Sequence, residues 1–166
     1  MINCKRQAGF TLVEMIIYIA IVSIILVSIS SLMLDIMAGR ASNYAKQEIN
    51  YNSRYLTNRL IKDIHASSAI NSLAADTLVL VSPGGKITYH FDSSSDSLTR
   101  QIDDGQVTRM HNGEIAVGGS FADQSFAGRT QSVQVNLDFV YKNPSNVINY
   151  QASNSVSLTL ELQGRR

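Results

Sequence analysis

An apolar run covers residues 10–34, about 25 positions at helical spacing, with Glu14 as its only charge. At about 1.5 Å per residue, a helix of that length crosses the roughly 30 Å hydrocarbon core of a bilayer. From Asp35 to about Ile70 the apolar positions thin out but keep helical spacing, and no proline interrupts the chain before Pro83. Ile49, Leu56, Leu60 and Ile64 fall at i, i+7, i+11 and i+15, one stripe on a 3.6-residue period suited to covering a sheet. Tyr44, Tyr51 and Tyr55 form a second stripe, rotated by about 140° from the first. Those rings either meet neighbouring molecules or stand half-exposed. The pattern predicts one helix from residue 10 to about 70, near 90 Å at the helical rise.

Beyond Ile70 the period shortens to two. Residues 77–81, 86–91, 97–102 and 106–110 read as strands divided by Ser82-Pro83-Gly84-Gly85, by residues 92–96 and by Asp103-Asp104-Gly105. Val133, Val135, Leu137, Phe139 and Tyr141 alternate with mostly polar residues, as do Val156, Leu158, Leu160 and Leu162. These predict two longer strands, each with one buried face, paired across the loop between them. The expected class is α+β: a long N-terminal helix whose second half covers an antiparallel β-meander. The segments are 1–9, 10–34, 35–70 and 71–166.

Charge changes the picture at the N-terminus. Lys5 and Arg6 precede the apolar run and Asp35 follows it, so the positive-inside rule leaves the first residues in the cytoplasm and the remainder outside. An ordinary secretory signal is cut after its apolar segment, whereas the small residue beside the basic stretch here is Gly9, ahead of that segment. Cleavage at Gly9 leaves the membrane helix on the mature protein. A carboxylate near the top of such a helix costs about 2.5–3.5 kcal/mol on insertion scales and faces a partner, unless it snorkels to the interface.

Gly9-Phe10-Thr11-Leu12-Val13-Glu14 resembles the class III signal of type IV prepilins and type II secretion pseudopilins. The resemblance covers roughly the first 30 residues. It implies cleavage between Gly9 and Phe10 by a membrane prepilin peptidase, N-methylation of Phe10, and pairing of Glu14 with the Phe10 ammonium of a neighbouring subunit. It further implies a pilin fold and a subunit without catalytic activity, inserted in the cytoplasmic (inner) membrane. An assembly ATPase and a platform protein would then draw that subunit into a periplasmic or extracellular fibre. Leu56 to Ala66, with its Arg59-Leu60-Ile61-Lys62-Asp63-Ile64 phrase, together with Leu98-Thr99-Arg100, is loosely similar to J-type pseudopilins and W-type minor pilins. Mature pilins often carry proline at the position of Ser31, and many major pilins have a C-terminal disulfide. This chain has neither, and its one cysteine, Cys4, lies in the leader, which favours a minor subunit.

Other chemistry is thin. Residues 71–166 hold seven basic against nine acidic groups, which speaks against nucleic acid as a partner and against DNA capture. Asp92, Ser94, Asp96 and Asp103 fit positions 1, 3, 5 and 12 of a calcium loop, but Ser97 stands where that loop needs glycine, so the stretch reads as a hairpin turn. His65, His90 and His111 lack ligand spacing, and no nucleophile motif accompanies the serines. No metal and no cofactor are expected. Loops 118–131 and 142–154 are the candidate recognition segments, for an adhesive subunit acting through its loops or simply as solvated connections. Phe121 and Phe126 in the first either plug the core or meet a partner.

Overall fold

The computed structural model describes residues 9–126, 131–143 and 150–163. The chain divides into two compact units, residues 1–40 and Ala41–Arg166. Helix α1, Leu12–Ala66, contributes to both.

In the first unit the apolar residues of α1 are exposed. Ile16, Ile17, Ile24, Leu26 and Leu32 each keep half or more of their surface. Among the described residues α1 is the one helix long and apolar enough to cross a membrane. Its serines are satisfied internally: Ser23, Ser28 and Ser30 donate to the carbonyls of Ile19, Ile24 and Leu26 at 2.7–2.8 Å, and Ser31 donates to Ser28 O at 2.9 Å. Such back-bonding removes the cost of a bare hydroxyl in hydrocarbon.

In the second unit α1 changes character. Ile49, Leu56, Leu60 and Ile64 are at most 2 % exposed, so the predicted stripe is the buried face. Ala45, Asn52, Ser53 and Asp63 widen it. Removing each large aliphatic side chain from water contributes about 2 kcal/mol. The helix stops at Ala66, short of the expected Ile70. Ser67 folds back, its hydroxyl donating to Asp63 O at 2.6 Å and its N–H to Ile64 O, and Ser68 N already donates to Val81 O at 2.8 Å.

Among the described residues eight antiparallel strands follow, in two sheets where the sequence suggested one meander. Strands β1 (Ala69–Leu73), β2 (Thr77–Ser82), β3 (Gly85–Asp92), β4 (Ser97–Ile102) and β5 (Thr108–Arg109) pair in chain order. Strands β6 (Ile115–Asp123), β7 (Ser132–Tyr141) and β8 (Ser153–Glu161) form the second sheet, with β7 and β8 paired as expected. Strand β1 was not foreseen: a bulge between Ile70 and Ser72 breaks its alternation. The 106–110 strand shrinks to two residues. Both sheets and the α1 stripe share one core, with Tyr89, Phe139, Leu78, Leu98, Leu137 and Val117 fully buried.

Strand β6 takes in residues 118–123 of the expected 118–131 loop. It pairs with β7 along its length and also donates Val117 N to Asp96 O and Phe121 N to Ala75 O, both at 2.9 Å, so it ties the second sheet to two turns of the first. Gly119 allows the approach: a Cβ there would overlap the Asn136 carbonyl and lie 2.8 Å from the Phe91 ring. Phe121 packs against Phe91, the rings tilted by 34° with centroids 4.8 Å apart, and is buried, while Phe126 is exposed. Of the two candidate recognition phenylalanines, one therefore belongs to the core. Residues 127–130 of that loop and 144–149 of the other lie outside the described residues.

Candidate functional site

The N-terminal site is built on the start of α1. Gly9, Phe10 and Thr11 precede the helix and are exposed. Thr11 is its N-cap, with Oγ1 accepting from Glu14 N at 3.3 Å while Met15 N donates to Thr11 O at 3.2 Å. Thr11-x-x-Glu14 is the spacing of a capping box, which places the carboxylate in the first turn, at the positive end of the helix dipole. The Phe10 ring tilts against Tyr18 with centroids 5.7 Å apart. Among the described residues no side chain pairs with the Glu14 carboxylate. Gly9, Phe10 and Glu14 thus lie within six residues on one accessible helix entrance.

A second carboxylate on α1 is fully engaged. Asp63 is 7 % exposed, and its Oδ2 accepts from Tyr89 Oη at 2.6 Å and Arg100 Nε at 2.7 Å, with Arg59 Nε at 3.4 Å. Burial, and then the bond to Asp63, push the Tyr89 phenol far above its ordinary pKa, so it stays a donor. These bonds join the last turns of α1 to β3 and β4. The Arg59, Asp63 and Arg100 of the sequence phrases are one internal cluster, which their separation along the chain had concealed.

The calcium frame comes apart. Asp92 pairs with Ser97 at one end of the β3–β4 hairpin, whereas Asp103 follows the Ile87–Ile102 pair at the other, about 20 Å away at strand rise. Asp92 instead accepts from Ser94 N and Oγ and from Ser95 Oγ at 2.6–2.9 Å, which holds its pKa at about 2. Asp103 accepts from Lys86 N at 2.7 Å. No cluster of three or more His, Cys, Asp or Glu exists among the described residues. The histidines also separate: His90 Nδ1 meets Thr77 Oγ1 at 3.0 Å, and His111 is buried, with Nδ1 2.7 Å from Asn112 O and no partner for Nε2. Desolvation lowers the His111 pKa below the ordinary imidazole value.

Where β7 ends and β8 begins, a polar, aromatic corner appears that the sequence did not announce. Tyr44 Oη donates to Glu114 Oε2 at 2.9 Å, and its ring meets Tyr141 edge-on at 6.3 Å. Tyr150 stacks on Tyr141 at 6.1 Å, the planes 17° apart. Beneath them Glu48 Oε1 accepts from Asn52 Nδ2 at 2.8 Å and from Asn112 Nδ2, linking α1 to the turn before β6. The hydrogen bond to Glu114 and its charge raise the Tyr44 pKa, while burial and then the Glu114 charge raise that of Tyr141. One member of the tyrosine stripe therefore packs within the chain, and Tyr51 and Tyr55 stay exposed.

Residues 4–30 match the sequence profile of a family described as the prokaryotic N-terminal methylation motif. The chain carries a type IV prepilin-like class III signal, which supports a type IV pilin-like protein. No curated protein and no solved structure matches the chain.

Proposed function

We propose that this chain is a minor pilin or pseudopilin, a non-catalytic subunit that helps to initiate or build a type IV pilus-like fibre or type II secretion pseudopilus. The observation that carries the reading is the state of Glu14: a carboxylate without a side-chain partner among the described residues, on an exposed apolar helix, within the class III signal. A helix so equipped is incomplete alone. Cleavage after Gly9 supplies the missing cation as the N-methylated ammonium of Phe10 on an adjacent subunit, and a pair of that kind fixes axial register between helices. Before assembly the subunit sits in the inner membrane with its N-terminus in the cytoplasm. Its partners are the prepilin peptidase, other pilin-like subunits, the platform protein and the assembly ATPase.

The loose similarity to J-type and W-type subunits fits a place in the initiating complex. Retention of Glu14 fits a position with a further subunit above it. The test is N-terminal mass analysis of the membrane-extracted protein from cells that hold the peptidase. N-methylated Phe10 as the first residue is the expected result, and an intact Met1 removes the foundation. Glu14→Ala should still be cleaved yet be absent from sheared fibres; normal incorporation would refute the role given to Glu14.

A further inference from the structure

We infer that the outer edge of β8 is a docking edge, at which an extended segment of a different protein chain adds a fourth strand to the β6–β7–β8 sheet. Tyr141 N donates to Ala152 O and Leu162 N to Gln131 O, both at 3.0 Å, so with the unbroken β7–β8 register the even-numbered residues of β8 bond inward. The backbone N–H and C=O groups of Ser153, Ser155, Ser157, Thr159 and Glu161 therefore point away from β7, about 7 Å from one such residue to the next. Among the described residues none of these outward groups meets a hydrogen-bond partner. Another extended backbone repeats donors and acceptors at that interval, and this selects the class of ligand.

Among the described strands the other three sheet edges are closed. Strand β1 has five residues and a bulge, and Gln131 Oε1 accepts from Ile70 N at 3.2 Å. Strand β5 has two residues, and the outer side of β6 is tied to Asp96 and Ala75 through Val117 N and Phe121 N. Strand β8 has nine residues with no bulge, no proline and no charge before Glu161. Short length, bulges, prolines and charges are the devices that keep a free edge from pairing.

The surroundings set the side chains of the added strand. On the core side Val156 and Leu158 are half-buried, and Lys46, Ile49 and Asn50 of α1 line a groove with residues 152–154. On the other face Ser157 Oγ donates to Asn136 Oδ1 at 2.7 Å, Asn136 Nδ2 to Ser120 Oγ at 3.2 Å, and Ser155 Oγ to Asp138 Oδ1 at 2.6 Å. The partner strand therefore alternates apolar residues, which cover Val156 and Leu158, with small hydroxyl or amide residues that extend this ladder. A second copy of the chain does not fit. Its β1, β5 and β6 edges are closed, and antiparallel pairing of β8 with β8 sets a twofold axis across the sheet that reverses α1 between the copies. Subunits of one membrane or fibre carry α1 in one direction, an exclusion that rests on the reading proposed above.

The experiment uses the full chain in detergent micelles and a fluorescent nine-residue peptide of alternating serine and valine, with blocked ends and two appended lysines for solubility. Antiparallel addition sets the peptide's serines opposite Ser155, Ser157 and Thr159, so the serine N–H groups face β8. Binding above that to empty micelles is expected by fluorescence anisotropy. N-methylation of the serine amides should weaken it at least tenfold, and N-methylation of the valine amides should leave it within about twofold. Ser157→Pro removes one outward N–H while sparing the bonds to β7, and should also weaken binding at least tenfold. Ser157→Ala keeps that N–H and should bind like the parent. If the proline variant fails to fold, the two methylated peptides decide the matter. No binding, equal affinity for the two methylated peptides, the reverse order, or a folded Ser157→Pro that binds like the parent would each overturn the edge. So would a dimer of the chain alone that Ser157→Pro dissolves, which would make a second copy the occupant. The processing of Phe10 is read separately by mass analysis, so failure here is distinct from failure of the N-terminal reading.

Discussion

Glu14 and Asp63 lie near opposite ends of the same helix, and their surroundings are opposites. Asp63 is enclosed by Tyr89, Arg100 and Arg59, all from its own chain. Among the described residues the Glu14 carboxylate has no side-chain partner, and the apolar surface of α1 beside it is exposed. The aliphatic residues repeat the contrast: Leu56 and Leu60 have no exposed surface, whereas Ile24 and Leu26 keep more than half of theirs. One half of α1 finds its nonaqueous surroundings inside the molecule, and the other half requires them from outside, in lipid or in other helices. A fold can be complete in one region while its chemistry is unfinished in another.

The largest expected effect tests the two carboxylates directly. Asp63→Ala leaves Arg100 buried without its counter-charge and should cost about 3–5 kcal/mol in denaturant unfolding of the sheet-bearing unit. Glu14→Ala should change the same transition by less than about 0.5 kcal/mol. Equal losses would break the comparison. Leu60→Ala should cost about 3 kcal/mol by leaving a cavity, against no resolvable change for Ile24→Ala. Gly119→Ala should follow at about 2 kcal/mol, since the new methyl must displace the Asn136 carbonyl or the Phe91 ring.

The smallest effect is a pH dependence. Because burial lowers the His111 pKa below the ordinary 6.5, neither the folded nor the unfolded state holds a proton there at higher pH. As pH falls through about 6.5 the unfolded chain takes up the proton first, so stability declines towards acid until the folded ring also titrates. The denaturant midpoint should fall between pH 7.5 and 5, and His111→Leu should flatten that slope. An unchanged slope in the variant would place the acid sensitivity at another group.

The features legible in the sequence were those carried by local periodicity. The helix stripe from Ile49 to Ile64, the strands around Val79, Thr88 and Thr99, and the β7–β8 pair follow from spacings of 3.6 and two. Strand β6 was not legible because Gly118-Gly119-Ser120 reads as a turn, and its glycine answers a close approach from Phe91 and Asn136 that only the fold brings about. The bulge in β1 hid that strand in the same way. At the N-terminus, Gly9, Phe10 and Glu14 are neighbours in sequence, so their grouping was visible at once. The Asp63 cluster and the Tyr141 corner join residues 26–70 positions or more apart, and no local pattern announces such a meeting.

The serine hydroxyls of the apolar half have a mechanical consequence. Each has already given its one hydrogen to its own backbone, so none has a donor left for a neighbouring helix. Two such helices sliding along one another would trade aliphatic contacts smoothly, with little friction at any offset. In the fibre proposed above, Glu14 is then the detent: the alignment of the whole length would be decided at one point, and a subunit seated one turn out of place would differ from a correct one chiefly by that contact.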